Sequence, residues 1–327
     1  MRMKASLTFI AAALLAIGTA AAQQPAGAFP VKPVRLITPF SAGGGTDIIA
    51  RLIAQKLGEE WSQAVIVDNR GGGNGNIGTD LVVRAAPDGY TVLLTTNAPI
   101  VINPHMTKVP YDPQKDLAPV SLIARVPFVL VTHPSLPAKS VPELIALAKA
   151  KPGKLNYGSS GSGGGAHLSG EMLKLVGKVA ITHVPYKGSG PALNALLGGE
   201  VEFMFVSILT SSRLVAQNRV RALAVTSTKR ASSMPNVPAM AEFPGMAGFD
   251  TDAWYGLMVP AKTDPAIVEV LRRETKKVLS QPDVSARFEQ TTGAQVIAST
   301  PAEFAQVIKA DLARWGALVR ATGVKMD

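Results

Sequence analysis

Apolar residues along this chain fall into short runs rich in Val and Ile, separated by stretches in which they recur every three or four positions. The short runs read as buried strands and the spaced stretches as amphipathic helices. Val34 to Phe40 is the first run, and Ile48, Ile49, Leu52, Ile53 and Leu57 then mark one face of a helix over Thr46 to Trp61. Val65 to Asp68 and Thr91 to Thr95 give two further strands. A second series places strands at Leu155 to Tyr157, Ala180 to Tyr186, Val201 to Val206 and Arg221 to Ser227, with helices at Ala166 to Val176 and Ala192 to Leu197. The apolar Trp254 to Val259 follows, and helices from about Pro265 and Pro301 end the chain.

This alternation predicts an α/β architecture with mostly parallel sheets. Ten of the 24 prolines lie between Pro99 and Pro152, and a second Pro-rich stretch runs from Met234 to Gly245, which suggests two crossings between lobes. With helices left over at the end, lobe 1 is expected to comprise residues 29–125 plus 252–327, and lobe 2, residues 126–251, to be inserted within it.

The start of the chain departs from the pattern. A positive beginning, Met1 to Lys4, precedes a nearly continuous apolar run from Leu7 to Ile17 and the small residues Ala20 to Ala22. Residues 1–22 therefore read as a cleavable signal peptide, since a membrane anchor needs about 20 apolar residues. Cleavage leaves 305 residues and, by removing Arg2 and Lys4, lowers the net charge from +10 to +8. An exported protein results, with a periplasm as its natural destination. The absence of cysteine excludes disulfides, thiolate nucleophiles, Fe–S clusters, Cys-ligated zinc and a lipidated N-terminal Cys.

Three glycine-rich turns between a strand and a helix carry the candidate chemistry: Phe40 to Asp47, Ser159 to His167, and Tyr186 to Pro191. Thr46 or Asp47 is placed to cap the first helix, and Pro191 suits a first helical turn. Each turn offers backbone N–H groups and the positive end of a helix dipole, a combination that favours an anion. Any one of them could be a mere connection. Three, spread over both lobes at the carboxyl ends of strands, point to one small ligand with carboxylate groups.

Competing motifs are weaker. Gly73 to Gly78 matches G-x-G-x-x-G, but the next strand ends in Thr95-Thr96-Asn97, with no acidic residue for a ribose. Neither a phosphate loop nor a G-x-S-x-G elbow occurs. A hydrolase built from a loop serine with His167 or His183 needs a geometry that sequence does not supply. No metal is expected, because His105, His133, His167 and His183 form no H-x-x-x-H or H-E-x-x-H pattern. Arg272, Arg273, Lys276 and Lys277 share a helix with Glu269 and Glu274, which suits a solvated face better than nucleic acid. The positive field could instead gather anionic ligands.

Several segments carry a resemblance. Val31 to Phe40 followed by Gly43 to Asp47, then Asp68-Asn-Arg70, Gly75 to Gly78, Pro87 to Tyr90, Tyr111 to Pro113, Lys151 to Tyr157, His183 to Gly188, Arg221 to Thr226 and Met234 to Pro238 occur in order over essentially the whole mature chain. In these it resembles the substrate-binding proteins of tripartite tricarboxylate transporters, the Bug-type periplasmic receptors. The resemblance implies a two-lobed type II periplasmic-binding-protein fold, a small carboxylate ligand in the cleft, delivery to membrane permease subunits, no catalysis and no cofactor. It also turns the Gly73 to Gly78 match into a family turn.

The ligand-binding residues expected on this basis are Phe40, Ser41, Gly44, Gly45, Thr46 and Asp47 in the first loop, with Thr96 and Asn97 at the distal end of the cleft. From the other lobe come Ser159, Ser160, Gly161, Gly163, His167, Tyr186, Gly188, Val206 and Ser207. Many relatives carry Asp-Asn where this chain has Val206-Ser207, which points to a ligand without an ammonium group, such as an aliphatic or aromatic dicarboxylate. The protein is expected to act as a monomer without nucleic acid. Its rival roles are a ligand-sensing partner of a signalling protein and a secreted serine hydrolase.

Overall fold

The computed structural model describes residues 29–325 except 44, 187, 294 and 295, so the signal peptide expected at residues 1–22 lies outside the described residues. The chain begins β1 (Val34–Thr38), α1 (Gly45–Trp61), β2 (Val65–Asn69), α2 (Asn76–Val83), β3 (Thr91–Thr96), α3 (Asn103–Met106) and β4 (Leu117–Val126). It continues β5 (Phe128–Thr132), α4 (Val141–Ala150), β6 (Asn156–Ser159), α5 (Gly165–Gly177), β7 (Thr182–Pro185), α6 (Ser189–Leu197), β8 (Phe203–Ser207), α7 (Ile208–Ala216) and β9 (Arg221–Val225). Then follow β10 (Ala253–Pro260), α8 (Pro265–Leu279), α9 (Pro282–Thr292) and α10 (Pro301–Thr322).

Two five-stranded sheets organise the two lobes, in the orders β2-β1-β3-β10-β4 and β7-β6-β8-β5-β9. Each is parallel except for one reversed strand, β10 in the first and β5 in the second. The crossings explain both exceptions. After β4 the chain passes through the single residue Pro127 into β5, and after β9 it returns to β10. It leaves each sheet at the carboxyl edge and enters the other at that sheet's carboxyl edge, so the entering strand must run against its neighbours. The same geometry sets the two carboxyl edges face to face.

The Pro-rich stretch from Pro99 to Pro152, expected as a crossing, holds α3, β4, β5 and α4, and only Pro127 sits at the crossing itself. Prolines mislead here because β4 is an edge strand, where the N–H that Pro119 lacks leaves no ladder bond broken.

Alternation along β10 divides the core of lobe 1. Leu257 and Val259 pack with Ile49, Ile53 and Leu57 of α1 and with α8, while Trp254 and Met258 pack on the opposite face with Phe304 and Trp315 of α10. Lobe 2 buries Tyr157, Phe203, Phe205 and Phe249 on one face of its sheet and Val129, Val206 and Ile208 on the other. On α8, Arg272, Arg273 and Lys277 pair with Glu269, Glu274 and Glu60, which makes this face ion-paired. Among the described residues no helix is long and apolar enough to cross a membrane.

A charged cluster ties the second crossing to α10. Arg314 reaches the Asp250 carboxylate at 2.7 Å and Asp311 at 2.9 Å, and Trp254 Nε1 donates to Asp311 at 2.9 Å. Asp252 is buried beside them and accepts from Thr226 Oγ1 at 2.9 Å, while Thr226 in turn accepts from Phe128 N–H at 2.9 Å. Thr226 thereby joins the first crossing to the second. Burial, then the nearby Asp250 charge, push the Asp252 carboxyl up to about 7 against the opposing pull of Thr226, Arg125 and Arg314.

Candidate ligand-binding site

The loop between β1 and α1 is closed by its own helix. Asp47, in the first turn of α1, accepts from Gly43 N–H at 2.9 Å and from Arg51 Nε at 3.1 Å. Its carboxylate thus serves the turn before the helix, and an acidic residue there also suits the dipole. Burial pushes this carboxyl up, but Arg51, Gly43 N–H and Asn69 together outweigh it, and the group ends below the ordinary carboxylate range. The Phe40 carbonyl accepts from Asn69 Nδ2 at 3.2 Å, which fixes the strand exit. Ser41 is exposed at the rim, Gly45 and Thr46 open α1, and Gly44 lies outside the described residues.

Facing it, the loop between β6 and α5 is held from beneath. Ser159 Oγ lies 2.6 Å from His183 Nε2, accepts from Gly161 N–H at 3.2 Å and donates to the Gly161 carbonyl at 2.9 Å. His183 stacks on His167 with ring centroids 3.8 Å apart and planes 7° from parallel. His167 Nδ1 accepts from Gly163 N–H at 3.0 Å, so that nitrogen carries no proton. Its Nε2 faces Glu171 Oε1 at 3.7 Å, and Glu171 accepts from Tyr157 OH at 2.8 Å and pairs with Lys174 at 2.9 Å. The neighbouring turn is stitched on through Tyr186 N–H to the Ser159 carbonyl at 3.0 Å and Gly188 N–H to the Ser160 carbonyl at 3.2 Å.

The structure thus assembles the Ser–His pair that a hydrolase would need, and it also shows why the pair is not a nucleophile. Ser159 is 0% exposed, so no substrate carbonyl can reach Oγ, and its hydroxyl braces the backbone of Gly161. Of this loop's expected residues, Ser160 is exposed and Gly161 partly so, whereas Ser159, Gly163 and His167 form the layer beneath.

Two expected positions lie at the carboxyl end of β8. Val206 packs in the lobe 2 core with Val129 and Ile208, so its side chain is core rather than cleft lining. Ser207 caps α7 by accepting from Thr210 N–H at 3.3 Å. At the distal end Thr96 closes β3, and Asn97 turns its amide to the Asp252 carbonyl at 3.2 Å, tying that corner to the crossing. The Gly73 to Gly78 segment is a packing turn, since a Cβ on Gly78 would lie 2.6 Å from the Arg70 carbonyl oxygen. Sequence reasoning passed over Asp252 and Tyr255. The Tyr255 hydroxyl lies at the first residue of α1, where a Cβ on Gly45 would be 2.9 Å from it. Only the position of Tyr255 beside Trp254, at the head of an apolar run, hinted at its place.

Comparison with known proteins now decides the family. The model of the tripartite tricarboxylate transporter family receptor matches residues 49–324. The chain belongs to this family. This receptor is 38% identical over 314 residues to protein BugT of Bordetella pertussis, covering 95% of this chain and 96% of BugT. It is also similar to an R. palustris protein solved with adipate, at 35% identity and TM-score 0.80, covering 91% of this chain and 100% of that one. MatC from Rhodopseudomonas palustris, solved with bound malate, matches at 32% identity and TM-score 0.77, covering 89% of this receptor and 100% of MatC. The family is one of receptors, and the chain is a two-lobed solute receptor rather than an enzyme.

Proposed function

We propose that this receptor captures a small dicarboxylate between its lobes in the periplasm and hands it to the membrane subunits of a tripartite transporter. One observation carries the reading: two glycine loops, each emptying into a helix N-terminus, sit on carboxyl edges that face each other. Backbone N–H groups and dipole ends of the same sign then converge on one cleft, an arrangement matched to an anion with a carboxylate at either end. Adipate and malate in the two solved relatives support that chemistry. Closure of the lobes would exchange water for preorganised donors.

A thermal-shift screen of the mature protein against adipate, malate, monocarboxylates, amino acids and mononucleotides tests this. A dicarboxylate is expected to raise the melting temperature most, by mass action on the native state. An amino acid or a nucleotide as the strongest stabiliser would overturn it.

A further inference from the structure

Tyr255 stands where three independent elements meet. It lies on β10, where strand register puts it directly opposite Thr96 of β3. Strand alternation and packing place its ring on the α1 side of the sheet, with the cluster that holds Ile49 and Ile53. Its hydroxyl lies against Gly45, so close that a Cβ there would be 2.9 Å away. Glycine at this position therefore gives the hydroxyl room at the mouth of the first loop.

That hydroxyl makes no hydrogen bond with any described residue. Its surroundings explain why. The first N–H groups of α1 have no acceptor within the helix, while Asp47 Oδ2 accepts from Gly43 and Arg51 and Oδ1 faces the Arg51 guanidinium at 3.1 Å. The phenol of the half-buried Tyr255 and these amides are thus donors gathered at one point. Burial pushes the Tyr255 ionisation up to about 12, so the group keeps its proton at any physiological pH.

We propose that the Tyr255 hydroxyl is a ligand contact, donating a hydrogen bond to the carboxylate held at the N-terminus of α1. This rests on the dicarboxylate-receptor reading and extends it: one oxygen of that carboxylate meets a side-chain donor from β10 as well as the backbone amides of the loop. The contact selects for an anionic, planar acceptor. A neutral alcohol or amide at that end of a ligand gains less from it, because hydrogen bonds to charged acceptors are the stronger ones.

Tyr255→Phe removes the hydroxyl alone and keeps the ring in its packing. Calorimetric titration of the mature protein with adipate and with malate is expected to show affinity about 10- to 100-fold weaker in the variant for whichever diacid the wild type binds more tightly. The ligand-free melting temperature should stay close to that of the wild type. A second measurement needs no variant to fold: addition of the diacid to the wild type should perturb the near-ultraviolet absorption of tyrosine, a signal that Tyr255→Phe abolishes. Equal affinity in the two proteins, or a wild-type tyrosine spectrum unmoved by a diacid that binds, overturns the Tyr255 assignment and leaves the receptor reading intact. Failure of the wild type to bind either diacid or any other carboxylate overturns the receptor reading, and the assignment with it.

Discussion

The loop before α1 is tied down by a carboxylate from its own helix, whereas the loop before α5 rests on a serine and two stacked imidazoles brought from β6, α5 and β7. The first is a local device, closed within five residues and open to solvent at Gly43. The second depends on the packing of a whole lobe, because His183 comes from a strand that follows α5. Similar glycine-rich sequences thus present similar backbone donors with quite different supports. The lesson is that a loop's donors can be read locally, while the stiffness that holds them to a ligand cannot.

Glycine replacements should separate the two supports most widely. A Cβ on Gly170 would lie 2.1 Å from the buried Tyr157 ring, directly under the second loop, whereas a Cβ on Gly43 meets nothing within 4 Å and only strains a φ of 81°. Gly170→Ala is expected to cost about 3 kcal/mol or more in urea unfolding, against about 1–2 kcal/mol for Gly43→Ala. A larger loss at Gly43 would reverse the comparison.

The crossing between β9 and β10 comes next. Ser169 of α5 bonds Thr251 at 2.7 Å, and Asn97 bonds the carbonyl of Asp252. Because the Asp252 value in the fold, about 7, lies above its ordinary 3.8, its contribution to stability is complete below about pH 4 and is lost as the pH rises through 7. The lowered carboxyls, such as Asp47, Asp68 and Glu242, act in the opposite sense and only at more acidic pH. Between pH 5 and 8 the wild type should lose on the order of 2 kcal/mol that Asp252→Asn does not lose. Melting curves at the two pH values check this, and parallel losses in both proteins would refute it.

The smallest effect is a coupling. Ser159→Ala and His183→Ala act on one hydrogen bond, so their combined cost should fall short of the sum by about 1 kcal/mol. Asp47→Ala combined with His183→Ala should be additive within about 0.5 kcal/mol, since the two supports share no partner. Coupling of Asp47 to His183 and none between Ser159 and His183 would dissolve the distinction between the loops.

Much of this was legible in the chain itself. Period and composition placed β1, α1, β2, β3, β6, α5 and the terminal helices, because each is a local pattern of burial. Glycine before a capped helix marked both loops for the same reason. The prolines of 99–152 hid β4, since proline is tolerated on an edge strand and edge position belongs to the sheet, and β5, which holds no proline, was lost among them. Val206 was read as lining because sequence gives a residue's place along a strand but not which face the lobe buries.

What the sequence determined by itself is therefore the set of donors: glycine loops, helix starts and a family signature, all written within short stretches of chain. Tertiary structure alone decided what stands behind and between them. His183 reaches Ser159 across 24 positions, Asp252 reaches Thr226 across 26, and Tyr255 reaches Gly45 from the strand that returns from the other lobe. Such contacts depend on which carboxyl edges the two crossings bring together, and no local periodicity encodes a distance between residues so far apart in the chain.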